Sequence, residues 1–195
     1  MTQKMRSMLF APGNKYELLQ NFSKIQPDIA IIDLEDAVPD SEKQEARENL
    51  QKYAQEQNKN ATTTYVRVNA LISEHFEEDI RSIPPEITGI VIPKVNDATD
   101  IEQATKAIER SSVNAKILVG IETVKGLMSV QNIFSIAWPK DKIRGLQGAF
   151  LDNPLWDLDL LAGFLGIALQ CLERLVILFL VPTFQKKPDC GIAGQ

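Results

Sequence analysis

"IAIIDLEDAVPD", residues 29–40, decides how this chain folds. Four apolar residues, Ile29 to Ile32, run without a charge; Asp33, Glu35 and Asp36 then fall within four positions, shortly before Pro39. A short, continuous apolar run of this kind reads as a strand buried on both faces, which is the signature of a parallel sheet rather than of a half-exposed antiparallel one. In parallel βα folds the ligand site lies at the carboxyl ends of the strands. The acids therefore stand where chemistry would be placed. The same three residues also suit a plainer role, capping the helix that follows or facing solvent.

Working outward, similar runs recur. "MRSMLFAPG" (5–13), "TTYVRVNA" (63–70), "ITGIVIPK" (87–94) and "AKILVGIE" (115–122) read as strands, with "KIRGL" (142–146) as a weaker sixth. Between them, "DSEKQEARENLQKYAQEQ" and "NDATDIEQATKAIERS" carry a helical period, with N-caps expected at Asp40/Ser41 and Asn96/Asp97. Strands alternating with helices of ten or more residues imply βα units around a parallel sheet. Residues 1–148 are expected to form one domain of this kind. Residues 149–195 break the pattern. Their long apolar stretch, 155–181, is interrupted by Asp157, Asp159 and the Glu173–Arg174 pair. That pair weighs against a membrane span, so an apolar helical tail with a frayed end is expected, and no membrane partner.

The 195 residues suffice for one core, and 44% hydrophobic with 24% charged residues is ordinary for a globular protein. A net charge of −5 without a Lys/Arg run argues against a nucleic-acid partner. Cys171 and Cys190 form neither a metal motif nor a disulfide framework. The basic N-terminus lacks a signal-peptide core, and a cytoplasmic location is expected.

The polar residues at the strand ends suggest a chemistry. Asp33, Glu35 and Asp36 follow strand two, Arg67 and Asn69 alternate with valines on strand three, Lys94 follows strand four and Glu122 strand five. Converging carboxylates need cations, because an unpaired buried carboxylate is costly. Arg67 is one such cation and a divalent metal another. Hard oxygen donors without His or Cys favour Mg²⁺ or Mn²⁺. A metal that polarises an oxo group beside an arginine that grips a carboxylate suits a 2-oxo acid. The plainer alternatives are a structural ion pair for Arg67, a solvated strand end for Glu122 and a surface charge for Lys94. His75, in the polar "SEHFEED", reads as a surface residue.

The motifs "RSMLFAPGN", "DLEDAV", "YVRVN", "GIVIPKV" and "GIETVKG" also resemble, in order and spacing, the citrate lyase β-subunit-like proteins of the HpcH/HpaI aldolase family. The likeness runs over roughly residues 4–146. It implies a TIM-type (β/α) barrel, here incomplete at about six βα units, and a homo-oligomer, often a trimer. It further implies Mg²⁺-dependent cleavage or formation of a C–C bond in a citryl, malyl or citramalyl thioester or related oxo acid, through a metal-stabilised enolate. Small-molecule oxo acids or acyl-CoA would be the partners. By position, Arg67 matches the substrate-carboxylate arginine and Glu122 the magnesium-ligating glutamate beside substrate. Glu35 and Asp36 match the acids that support the metal and its waters.

The likeness fails at one place. The family's second metal aspartate would fall next to Gly148, where "LQGAFLDNPLW" has no acid, and Asp152 is the nearest substitute. The expectation is a gene truncated or frameshifted near codon 147, the alternative being a natural short variant whose tail helix plugs the open barrel. The alternatives to the lyase are a malyl-CoA thioesterase-like hydrolase on the same site and a catalytically inactive truncated remnant.

Overall fold

The structure is a computed structural model, and it describes residues 7–56, 62–111, 113–135 and 143–148. The 29–33 run forms β2 (Ile29–Asp33), with all five residues buried. Around it stand β1 (Met8–Pro12), β3 (Thr64–Arg67), β4 (Gly89–Ile92), β5 (Lys116–Ile121) and β6 (Ile143–Gly148). All pairings are parallel, and the order across the sheet is β1-β2-β3-β4-β5-β6. This order is informative. A doubly wound sheet reverses direction at a switch point, whereas strands added one after another in the same sense generate the arc of a (β/α) barrel.

Each crossover carries helix. Helices α1 (Tyr16–Gln20) and α2 (Phe22–Ile25) follow β1, α3 (Lys43–Glu56) follows β2, and α4 (Phe76–Ser82) follows β3. Next come α5 (Ala98–Arg110) after β4, and α6 (Val124–Met128) and α7 (Val130–Ser135) after β5. The expected cap of α5 is present: Asp97 accepts from the Thr99 amide at 2.9 Å. The expected cap of α3 is not. A 3-10 turn, Asp40–Glu42, leads into that helix from Pro39, and no side chain caps it. Proline at the turn's entry already fixes the local φ, so the chain begins to coil before Ser41 can act as a cap.

Strand alternation sorts the apolar residues into two layers. Ala30, Ile32, Val66, Ile90, Ile92, Ile117 and Val119 face outward, into one core with Leu19, Phe22, Leu50 and Ile108 from the helices. Met8, Ile29, Ile31, Tyr65, Val91 and Leu118, with Phe10 against them, form the second cluster on the inner face. A side chain at Gly89 would meet the Tyr65 ring at 2.4 Å; the bare backbone there lets the ring lie across the interior. Two-sided burial is the physical reason why the strand sequences read as unbroken apolar runs.

Nothing among the described helices is long and apolar enough to cross a membrane. The apolar stretch 155–181, Cys171, Cys190 and the whole segment 149–195 lie outside the described residues.

Candidate active site

The inner-face alternation that places Ile29 and Ile31 inside also brings Asp33 to the mouth of the arc. The same parity on β3 brings Arg67 there, and on β5 it brings Glu122, one residue past the strand. Asp33 and Arg67 are direct cross-strand neighbours in the β2–β3 register, so their side chains meet.

Their meeting is a bidentate fork. Arg67 Nε donates to Asp33 Oδ1 at 2.8 Å and Nη2 to Oδ2 at 2.6 Å. Asp33 is only 1% exposed, so the pair is screened little by water. Arg67 Nη1 stands 3.3 Å from Glu35 Oε2, and the guanidinium carbon lies 5.2 Å from the centre of the Phe10 ring. Burial opposes the guanidinium charge, and the Asp33 bonds with the Asp33, Glu35 and Glu122 charges outweigh it, holding Arg67 firmly protonated. Of the five N–H donors of an arginine, Asp33 takes two. The remaining three, on Nη1 and Nη2, are what a substrate carboxylate could use beside Glu35.

Asp33 does double duty. Its oxygens also accept from the amides of Glu35, at 2.9 Å, and Ala37, at 3.2 Å. These bonds hold the turn after β2 and do not cap the helix that follows, whose entry at Pro39 has no side-chain cap.

Glu35 is 4% exposed. Lys94 Nζ lies 2.9 Å from its Oε1, yet neither this contact nor that with Arg67 is aligned as a hydrogen bond, and both Glu35 oxygens lack a hydrogen-bond partner. Burial raises its pKa, against the pull of Lys94 and Arg67. Asp36 is exposed and accepts from Lys94 Nζ at 2.8 Å. Lys94 thus bridges two acids. It does so from a left-handed backbone, φ 52°, a conformation that costs a non-glycine residue about 1 kcal/mol or more. Its ammonium is thereby engaged by two acids of the chain itself.

Glu122 is partly buried, and burial pushes its carboxyl from the ordinary 4.5 up to about 7; Glu35 and Asp36 add to the rise while Arg67 and Lys94 oppose it. Room for this carboxyl is made by Gly120, where a Cβ would come within 2.6 Å of Glu122 Oε1 and 3.1 Å of the Ile92 carbonyl. The Glu122 side chain therefore lies back over a bare stretch of β5.

Asn69 does not share the Arg67 face. β3 ends at Arg67, and beyond it the Asn69 amide turns to the Leu34 carbonyl (2.9 Å), Asp79 (2.7 Å) and Lys43 (2.7 Å). Strand alternation stops governing side-chain direction once the ladder ends. His75 lies beside α4 with Asp40 3.6 Å away, apart from the cluster, as its polar setting predicts. An open pocket of about 410 Å³ adjoins the site, lined on one side by Glu35, Asp36 and Lys94 and on the other by Asn69 and Ser73.

Whether magnesium fits can be judged from these donors. Among the described residues no three His, Cys, Asp or Glu side chains are grouped to hold a metal alone. Magnesium needs fewer, since one or two carboxylates with water and substrate oxygens complete its shell. Four carboxyls, Asp33, Glu35, Asp36 and Glu122, here face two cations, Arg67 and Lys94. The oxygen-only, net negative set fits such an ion, and among the described residues Glu122 is the carboxylate of the four that Arg67 and Lys94 do not pair with, so it would hold the ion. Asp152, the other expected ligand, lies outside the described residues.

Sequence reasoning passed over Gly120 and the buried trio Lys43, Arg47 and Asp79. A signal for the two cations was present: α3 buries Lys43, Ala46, Arg47, Leu50, Tyr53 and Ala54, so both sit on an apolar stripe of helical period.

A consecutive parallel arc of βα units, with a buried arginine–carboxylate fork and Glu122 at the strand ends, defines a TIM-type barrel whose candidate site lies at the C-terminal rim. More specifically, the chain belongs to the HpcH/HpaI aldolase/citrate lyase family, whose model matches residues 6–153. It is 34% identical over 143 residues to a citrate lyase subunit beta-like protein of Deinococcus radiodurans, covering 69% of this chain and 50% of that one. It is 30% identical over 129 residues to a (3S)-malyl-CoA thioesterase of Cereibacter sphaeroides, covering 66% of this chain and 44% of the relative. The chain thus spans about half the length of these curated relatives. Among solved structures, the Mycobacterium tuberculosis protein CitE in complex with magnesium and acetoacetate superposes with a TM-score of 0.65 at 20% identity, over 92% of this chain and 75% of that one. That likeness supports the fold.

Proposed function

We propose that the protein is a Mg²⁺-dependent carbon–carbon lyase of the citrate lyase β type, acting on an oxo acid or a citryl, malyl or citramalyl thioester. The observation that carries this reading is the juxtaposition, at one rim, of Arg67 with donors to spare and Glu122, whose carboxyl feels the Arg67 and Lys94 charges but forms no ion pair among the described residues. Arg67, held flat by Asp33, binds the substrate carboxylate in a bidentate grip that a lysine could not reproduce. Its burial raises the strength of that grip, since little water competes. Glu122 would hold the magnesium ion, with Glu35 and Asp36 supporting its waters. When bound, the ion supplies Lewis-acid polarisation of the oxo group. The magnesium and acetoacetate in the Mycobacterium structure support this choice of ion and ligand class.

The test is product analysis of malyl-, citramalyl- and citryl-CoA incubated with the chain, with Mg²⁺ or with EDTA. The lyase reading expects a shorter acyl-CoA and an oxo acid, only with Mg²⁺; unaltered thioester refutes it for this chain. The thioesterase relative supports a second reading, and that one expects free thiol with the acid's carbon skeleton intact. No turnover, with no oxo-acid binding, leaves the inactive remnant.

A further inference from the structure

Lys43 opens α3 and is 4% exposed. Its ammonium spends all three protons internally, on the Leu34 carbonyl at 2.7 Å, the Glu35 carbonyl at 2.8 Å and Asn69 Oδ1 at 2.7 Å. Asn69 in turn donates its amide to the same Leu34 carbonyl, at 2.9 Å, and to Asp79 Oδ2, at 2.7 Å. Fully buried Asp79 accepts from Arg47 Nη1 at 2.8 Å. A chain of buried polar groups therefore runs from α4 through α3 to the end of β2.

Helix stability does not explain this lysine. A cation at a helix N-terminus is opposed by the helix dipole, and burying an ammonium is costly unless every proton finds an acceptor. What the arrangement achieves lies on β2. The carbonyls that Lys43 grips belong to Leu34 and Glu35, and Leu34 is flanked by Asp33 and Glu35, the two residues whose carboxylates meet Arg67. We propose that Lys43 is a positioning residue: by pinning the Leu34 and Glu35 carbonyls and the Asn69 amide, it sets where the Asp33 and Glu35 carboxylates meet the Arg67 guanidinium. Lys43 acts through the backbone and needs no contact with a ligand. Its consequence for ligand binding rests on the function proposed above; its effect on Arg67 does not.

The experiment follows the Arg67 Nε–H by NMR in the full ¹⁵N-arginine-labelled chain. Lys43→Met keeps the apolar stem and removes the charge, while Leu50→Ala weakens α3 without touching the β2 carbonyls. Lys43→Met is expected to speed solvent exchange of the Arg67 Nε–H about tenfold or more, and to weaken acetoacetate binding in Mg²⁺ by a similar factor. Leu50→Ala should leave both near wild type at equal folded fraction. Equal exchange in the two variants overturns the proposal. Should Lys43→Met not fold, Asn69→Ala removes the second donor to the Leu34 carbonyl; faster Arg67 exchange there supports the proposal and wild-type exchange overturns it. If wild type binds no oxo acid, the functional reading fails while the exchange rates still decide the role of Lys43.

Discussion

Arg67 and Glu122 differ in how the fold holds them, and substitutions should separate the two. Removing the Arg67 side chain leaves Asp33 buried without its partner, which costs about 3–5 kcal/mol. Arg67→Ala is therefore expected to lower the chemical-denaturation midpoint markedly. Arg67→Lys keeps the charge, loses the fork, and should keep most of the stability while losing oxo-acid binding. Glu122 behaves oppositely. Its carboxyl titrates near 7 in the folded chain against an ordinary 4.5, so between those values the folded state holds a proton that the unfolded state has released. The stability tied to that proton is full below 4.5 and is lost as the pH rises through 7. Glu122→Gln should remove this slope and gain, relative to wild type, up to about 3 kcal/mol on going from pH 4 to 8; urea titrations at the two pH values measure it. Gly120→Ala tests the space beneath the carboxyl. A Cβ 2.6 Å from Glu122 Oε1 must displace that side chain, and divalent-cation affinity, read by calorimetry, is expected to fall about tenfold or more.

Among the elements, the strands and α5 were legible in the sequence, and the reasons are local. Ile29–Ile32 and Ile117–Val119 are apolar on both faces because the sheet has a core on each side, and Asp97 announces α5 by bonding the Thr99 amide two residues on. Asp97→Ala should cost about 1 kcal/mol of stability, measurable as a lowered melting temperature. What the sequence hid depends on register and on distant partners. That Asp33 faces Arg67 follows from how β2 lines up with β3, which no spacing within either strand reveals. Asp79 looks like an ordinary acid in the first turn of α4 until α3 and α4 are packed together. The left-handed turn at Lys94 likewise carries no local signature, since neither Pro93 nor Val95 demands it; its reason is the pair of acids, Glu35 and Asp36, that its ammonium reaches from there.

At the scale of the molecule, the consecutive parallel order from β1 to β6 turns separate strand ends into one rim. Asp33 pairs with Arg67, Arg67 with Val91 and Val91 with Leu118 across the sheet, so the fork closes the strand ends of β2 and β3, while Glu122 lies one residue past β5. The chain spans about half the length of the curated relatives it matches, and the candidate rim lies within that span. The central claim, that Arg67 and Glu122 together with magnesium grip an oxo acid, is most directly tested by calorimetric titration of acetoacetate into the purified chain. Saturable heat is expected with Mg²⁺ present, absent in EDTA and absent in both Arg67→Lys and Glu122→Gln. Binding of equal strength in EDTA, or in either variant, would contradict it.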